Sequence, residues 1–189
     1  APTVVIDALK SHAFVSAPIA KLGCEALGNL AAGDDAGTVT RAHAVEAIRD
    51  AIAAHPNDPA VFIAGARALT TIATEAKGKN ATTVMQQGGG AALCAALLST
   101  AENTDAAVAG CQAIETLANT PDNKTPLMAA GAGVALVEAI RLNVKSSPVL
   151  ARAATAALWN LSLAKENVPE LRKAKAVDAL QASLKAHAG

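Results

Sequence analysis

Aromatic residues are scarce in this chain, which has no Tyr, two Phe and one Trp among its 189 residues. Proteins that bind single-stranded nucleic acid stack the bases on several aromatic side chains along a basic groove. Phe14, Phe62 and Trp159 are too scattered to supply such a row. An excess of either charge is also lacking, because 16 Lys and Arg residues balance 16 Asp and Glu residues. The chain therefore has no general attraction to phosphate backbones or anionic bilayers, and we expect neither nucleic acid nor a membrane as its partner.

Cysteines and long apolar runs are also few. The three cysteines, Cys24, Cys94 and Cys111, lie in apolar segments without a C-x-x-C spacing, which predicts buried thiols in a reducing compartment. The most apolar run, residues 127–137, stops at Glu138, well short of the roughly 20 residues that a membrane-spanning helix needs. No secretory signal opens the chain. We expect a cytoplasmic protein, with a cytoskeletal assembly as one setting.

Residue patterns typical of catalysis or metal binding are missing as well. His12, His43, His55 and His187 lie far apart in the sequence, so we expect no shared metal ion. The run 87–90 (QGGG) has neither the Lys-Ser/Thr pair nor the preceding strand of a phosphate-binding loop. No Ser/His or Cys/His spacing indicates an activated nucleophile. We predict a protein that is not an enzyme and that carries no cofactor and no metal.

What the chain does have is a repeated phrase. The phrase occurs four times, and its anchor residues Leu27, Leu69, Ile114 and Leu158 are 42, 45 and 44 residues apart. Its copies are residues 23–30 (GCEALGNL), 65–72 (GARALTTI), 110–117 (GCQAIETL) and 154–161 (ATAALWNL). The first residue of each copy is Gly or Ala, which lets a neighbouring helix approach closely.

A second phrase alternates with the first. Its copies are residues 5–9 (VIDAL), 44–48 (AVEAI), 93–97 (LCAAL), 136–140 (LVEAI) and 176–180 (AVDAL). Two interleaved phrases predict two long helices per repeat, with turns rich in Pro, Gly, Asn and Asp between them. Short helices are predicted after some of these turns, at residues 123–130 and 167–174, which makes three helices per repeat.

A period of about 40 to 47 residues with several helices is typical of armadillo and HEAT repeats. Residues 128–137 (MAAGAGVALV) resemble the first-to-second helix junction of the armadillo family, and residues 157–162 (ALWNLS) resemble its third helix. The resemblance implies an all-α fold, a right-handed α-solenoid with three helices per repeat. It divides residues 1–189, as one domain, into units at about 1–33, 34–76, 77–120, 121–164 and 165–189, of which the first and last are partial.

The resemblance also implies a concave groove, lined by the third helices, that holds an extended peptide through a ladder of Asn side chains. The ladder positions are Asn29, Thr71, Thr116 and Asn160, of which only the outer two keep the family's Asn. An Asn amide can pair with both a peptide N–H and a peptide C=O. The alternative is that Asn29 and Asn160 end their helices locally.

One turn before the ladder, nuclear-import carriers of this family place Trp residues that hold Lys and Arg stems. Here those positions are Glu25, Arg67, Gln112 and Ala156, so a basic import signal is not the expected ligand. Trp159 is one residue out of that register. We expect it to pack against a neighbouring repeat or to cap the core, with the alternative that it is a partly exposed anchor for a partner.

Three hypotheses for function remain. The first is a protein-recognition scaffold that binds an extended or amphipathic segment of another protein through Asn29, Thr71, Thr116, Asn160 and their neighbours. The second is an architectural segment of a longer solenoid or cytoskeletal-type assembly, including end-to-end self-association, because the segment at residues 4–9 is apolar and has no short helix before it. The third is a regulatory domain of an enzyme or transport factor.

Overall fold

The computed structural model describes residues 2–32, 38–75 and 80–187, and gives the backbone alone for residues 2 and 38–42. Within these ranges the chain is all-helical and has no strand, so the predicted fold class, all-α, is confirmed for them. The twelve helices are α1 Pro2–His12, α2 Ala17–Ala31, α3 Thr38–Ala54, α4 Pro59–Thr74, α5 Asn80–Gln86, α6 Gly89–Thr100, α7 Thr104–Ala118, α8 Lys124–Ala129, α9 Ala132–Leu142, α10 Pro148–Ser162, α11 Val168–Lys173 and α12 Ala176–His187.

The first phrase lies on α2, α4, α7 and α10, which we call row one. Each row-one helix packs on the next in chain order, α2 on α4, α4 on α7 and α7 on α10. The second phrase lies on α1, α3, α6, α9 and α12, which we call row two, and these helices also pack on each other in chain order. Both rows contribute to one connected cluster of buried apolar residues.

Every row-one helix begins at a side-chain N-cap. Asp58 Oδ1 accepts the backbone N–H groups of Ala60 and Val61 at 2.9 and 3.1 Å. Ser16, Asn103 and Ser147 cap α2, α7 and α10 in the same way. Each cap satisfies a donor that the first turn of a helix leaves unpaired. The cap residues recur at the spacing of the phrase, which fixes where each row-one helix starts.

The small first residue of the phrase marks a close approach between the rows, as the sequence predicts. A Cβ atom added at Gly65 would lie 2.6 Å from Cδ1 of Ile52 in α3, and one at Gly23 would lie 2.5 Å from Cγ of Leu9 in α1. Real Cβ atoms do not come so near to another carbon atom, so the backbone of the row-one helix rests directly on row two.

A left-handed residue joins the short helix to the row-two helix in the last three units. Gly88 and Gly131 have φ of 80° and 92°, a region that costs Gly little. At the equivalent position before α12 stands Lys175, with φ of 60°. The predicted short helices at 123–130 and 167–174 are present as 3₁₀ turns followed by α8 and α11.

The three cysteines are buried, as predicted. Burial, with the nearby Glu115 carboxylate adding to it, raises the pKa of Cys111 to about 12, and burial raises the pKa of Cys94 to about 12. These thiols are therefore protonated at neutral pH.

The structure describes two of the four predicted boundaries between units. Residues 120 and 164 each stand directly before a 3₁₀ turn. The boundaries near residues 33 and 76 fall on ranges 33–37 and 76–79, which lie outside the described residues. No single described helix is long and apolar enough to cross a bilayer, and the bent pair Pro121–Ala129 and Ala132–Leu142, at 75° to each other, passes that test of length and composition only together.

Candidate functional site

Four of the predicted site residues meet in one depression between the first two row-one helices. This α2–α4 cleft has a volume of about 550 Å³. Helix α2 contributes Glu25 and Asn29, one turn apart, and helix α4 contributes Arg67 and Thr71 at the same spacing. The lining residues are Lys21, Glu25, Gly28, Asn29, Ala60, Ile63, Ala64, Arg67, Ala68 and Thr71.

Small residues form the floor of the α2–α4 cleft. A Cβ atom on Gly28 would lie 3.1 Å from the Cα atom of Ala68, so the two helix backbones approach closely here. Close backbone approach leaves the longer side chains standing at the two sides of the floor. Ile63 adds an apolar wall. The cleft therefore combines a floor of small residues with polar side chains at its edges.

The charges around the α2–α4 cleft do not balance. Lys21 Nζ lies 3.3 Å from Glu25 Oε1, an i,i+4 ion pair on the surface of α2. Arg67 is exposed and has no ion-pair partner among the described residues. One matched pair and one unmatched guanidinium leave the cleft with a local positive charge, to which a carboxylate would be attracted.

The predicted ladder residues differ in which of their hydrogen-bonding groups already have a partner among the described residues. The hydroxyl of Thr71 donates to the carbonyl oxygen of Arg67 at 3.1 Å, and that of Thr116 donates to the carbonyl oxygen of Gln112 at 2.9 Å. Both hydroxyl protons are thus engaged within their own helices, and only oxygen lone pairs remain. Asn29 is exposed, and its amide makes no hydrogen bond to any described residue. Of the ladder amides, that of Asn29 alone has neither its donor nor its acceptor bound to a described residue.

Asn160 has a structural contact where the resemblance implies a ligand. Its side chain is buried, and Nδ2 donates to Oδ1 of Asn119 at 2.8 Å. This bond joins α10 to the end of α7. The amide of Asn160 therefore links two row-one helices, a contact that the ladder hypothesis does not include. It also differs from the alternative of a local helix end, since Asn119 is 41 residues away.

Gln112 and Thr116 lie on α7, half-buried, away from the α2–α4 cleft. The neighbouring Glu115 Oε1 lies 3.3 Å from Nη1 of Arg152, an ion pair that spans α7 and α10. The predicted groove therefore divides into a region around α2 and α4 with free polar groups and a region around α7 and α10 whose charges are paired across the helices.

Trp159, which we expect to pack against a neighbouring repeat or to cap the core, has a largely exposed side chain in the described structure. Its side chain is 62% exposed, and it borders a second depression of about 790 Å³, the α10–α12 cleft. The exposure agrees with the alternative interpretation of an anchor. The lining residues are Ala151, Arg152, Thr155, Ala156, Trp159, Ser183, Leu184 and His187.

Sequence reasoning missed the α12 side of the α10–α12 cleft. Leu184 is four residues after the anchor Leu180 of the second phrase. The equivalent residues are Ile52 in α3 and Ala101 directly after α6, and both are buried. Leu184 is 71% exposed. Comparing the positions of the repeat one by one would have shown that this side chain is of a core type, and only the structure shows that no described helix covers it.

No protein-family model, curated protein or solved structure matches this chain. The functional argument therefore depends on the geometry and chemistry of the described surface.

Proposed function

We propose that this chain is a non-catalytic protein-recognition scaffold with the architecture of a right-handed armadillo-type α-solenoid. Two observations support the architecture. Helices of each row pack on the next one in chain order, and a left-handed junction recurs at Gly88, Gly131 and Lys175 with the period of the repeat. A chain built in this way buries each unit against its neighbours and presents one long surface of row-one helices to a partner.

The observation that carries the proposed function is the α2–α4 cleft, in which Glu25, Asn29, Arg67 and Thr71 line one channel. Surface polar residues that converge on a concave site are typical of recognition, because they fix the orientation of a ligand over an apolar floor. The cleft lies between two neighbouring row-one helices, which suits an extended segment of another protein.

The chemistry of the cleft defines the segment that it would hold. The Asn29 amide donates to a carbonyl oxygen and accepts an N–H of the same backbone, which fixes position without reading a side chain. The free lone pairs of Thr71 accept one further N–H. Arg67 pairs with a carboxylate, in the bidentate geometry that a guanidinium favours. The ligand is then an extended segment with an acidic residue next to small or apolar ones.

The proposed binding site uses fewer positions than the four of the predicted ladder. The amide of Asn160 is engaged by Asn119, and Glu115 is paired with Arg152, so these side chains would have to break existing contacts to bind a partner. The α2–α4 cleft needs no such rearrangement. We place the main contacts there and assign Gln112 and Thr116 to flanking contacts.

The test is capture of binding segments from a peptide display library by the wild-type chain and by Asn29→Ala/Arg67→Ala. We expect the double variant to lose the wild-type peptides by tenfold or more, because a charge-assisted pair and a backbone clamp are both removed. The matched control is Asn57→Ala/Arg172→Ala, which removes the same two residue types from exposed positions outside the cleft.

Far-UV circular dichroism of both double variants checks that their helices are intact. If Asn29→Ala/Arg67→Ala captures the same peptides as strongly as the control does, the assignment of the α2–α4 cleft is wrong. If the selected peptides show no preference for acidic residues, the role given to Arg67 is wrong even if the cleft binds.

A further inference from the structure

The two sides of the α2–α4 cleft carry opposite charges at corresponding positions of the repeat. The third residue of the first phrase is Glu25 on α2 and Arg67 on α4. Both side chains line the cleft. The later copies of the phrase have Gln112 and Ala156 at this position, so its charged residues are confined to the two sides of this cleft.

Glu25 and Arg67 do not neutralise each other. No ion pair joins these two side chains, because the carboxylate of Glu25 lies beside Lys21 on its own helix, at 3.3 Å. Both Glu25 and Arg67 are exposed. The cleft therefore presents a negative group and a positive group at separate places, and a ligand can reach each of them.

The contact with Lys21 does not remove Glu25 from the cleft. The two side chains form an i,i+4 pair and are 43% and 45% exposed. Exposed pairs of this kind contribute little to stability, because water screens both charges. Lys21 has the longer and more flexible side chain, so it can move away from Glu25 towards its own turn of α2 when a ligand cation approaches.

Distance along α2 then makes Glu25 the charge next to a bound backbone. Asn29 is four residues from Glu25 and eight residues from Lys21. At the rise of an α-helix these spacings correspond to about 6 Å and about 12 Å. The screening length at physiological salt is about 8 Å, so Lys21, once back at its own turn, interacts weakly with a segment that Asn29 holds.

The backbone contacts alone do not fix the direction in which a segment crosses the cleft. Asn29 on α2 and Thr71 on α4 can both accept a backbone N–H, so the two directions satisfy them to a similar degree. Glu25 and Arg67 remove this equivalence, because they favour a basic side chain over α2 and an acidic one over α4. A segment with its charges reversed would bring like charges together, which opposes binding.

We propose that Glu25 is a specificity-determining residue, and that the α2–α4 cleft selects segments with one basic and one acidic residue in a fixed order. This preference presupposes the function proposed above, because it concerns the ligand of the same cleft. Packed helices lie about 8 to 10 Å apart, and an extended chain advances about 3.3 Å per residue. The two charged residues of the segment are therefore about two or three positions apart.

The test is the peptide display selection, repeated with the exchange variant Glu25→Arg/Arg67→Glu. Peptides captured by the wild type should share one order of the basic and the acidic residue, and those captured by the exchange variant should show the reverse order. Exchanging the two charges of a synthetic wild-type peptide should weaken its binding to the wild type by about fivefold to tenfold, because two weak attractions become two repulsions. The exchange variant should restore that binding, as measured by fluorescence anisotropy.

Single variants test the two preferences separately. Glu25→Gln should keep the selection of an acidic residue and lose that of a basic one, and Arg67→Gln should do the opposite. These two variants also test the proposal if circular dichroism shows that the exchange variant has lost helicity. The matched control is Glu138→Arg/Arg141→Glu, which exchanges the same residue types in an ion pair of α9, outside the cleft, and should select the wild-type peptides.

Wild-type peptides that lack a basic residue, or that show both orders equally often, would overturn the role of Glu25 and leave the assignment of the cleft intact. The same order from the wild type and the exchange variant would overturn it as well. Failure of the proposed function gives a different result. The wild type would then capture no peptides, or peptides that Asn29→Ala/Arg67→Ala captures equally well, and both proposals would be wrong.

Discussion

At Gly110 the backbone of α7 lies against two other helices, and no side chain fits between them. A Cβ atom there would lie 2.9 Å from both Cδ1 of Leu97 in α6 and Cζ of Phe62 in α4. Phe62 is itself fully buried, so it has little room to move. The position therefore depends on the absence of a side chain and not on the backbone freedom of glycine.

We predict that Gly110→Leu lowers the free energy of unfolding by about 1 to 3 kcal/mol, because the added side chain forces Leu97 or Phe62 out of a packed rotamer. Urea unfolding followed by circular dichroism measures the change. Ala95→Leu, at an exposed position of α6, is the control and should shift the free energy by less than about 0.5 kcal/mol. Equal midpoints for wild type and Gly110→Leu would contradict the close approach.

Buried asparagine side chains join helix ends by hydrogen bonds, a role that their positions in the sequence do not indicate. Nδ2 of Asn167 donates to the carbonyl oxygens of Leu161 and Lys124, at 2.9 and 3.2 Å, and so joins the end of α10 to the start of α8. Asn123 donates to the carbonyl oxygen of Leu117 at the end of α7. The last carbonyl groups of a helix lack partners within it, and these amides supply partners for the carbonyl groups of Leu117 and Leu161. Asn29, which is exposed on α2, makes no such hydrogen bond to a described residue.

The N-cap side chains fix the residues at which the row-one helices begin. Asp58 accepts two backbone N–H groups and stands directly before Pro59, whose ring favours the first turn of a helix. The negative charge of Asp58 also interacts favourably with the positive end of the α4 dipole.

We predict that Asp58→Ala lowers the free energy of unfolding by about 1 to 2 kcal/mol, the usual effect of removing an N-cap. Asp58→Asn should restore most of this loss at neutral pH, because its amide oxygen accepts the same bonds. Thermal unfolding of wild type and both variants measures the effect. The neighbouring exposed Asn57→Ala is the control, and a loss as large as that of Asp58→Ala would show that the turn matters and the cap does not.

The helices themselves were predictable because their causes are local or periodic. The phrase predicted a long helix at each of its four copies, and the turn residues placed α8 and α11 to within a few residues. The direction of single side chains was not predictable in the same way. Asn160 points to Asn119, 41 residues away, and Trp159 is exposed because no described helix covers it. Both outcomes depend on which helices are neighbours in space.

The contacts of the candidate site were likewise predictable only where they follow from the repeat. The pairing of α2 with α4 follows from the repeat, so the meeting of Asn29 with Thr71 and of Glu25 with Arg67 was implied by the phrase alignment. The engaged hydroxyl of Thr116 and the ion pair of Glu115 with Arg152 were not implied, because they depend on side-chain rotamers. The sequence therefore indicated the surface but not which of its groups are free.

At the scale of the whole molecule, the main contacts run between helices that are near in the chain. Helix α4 packs on α2, α3 and α7, whereas α12 packs on α9, α10 and α11, with no described helix on its other side. Where the contacts of a unit are limited to its neighbours, the stability of each unit depends on how many neighbours it has. Local opening then costs less at the ends than in the middle.

We predict that amide hydrogen exchange is slowest in α4 and α7 and fastest in α1 and α12. Exchange measured by mass spectrometry at high dilution, where copies are separated, tests this gradient. Equal protection of all helices would instead indicate a single all-or-none unit, contrary to a stack of neighbour contacts.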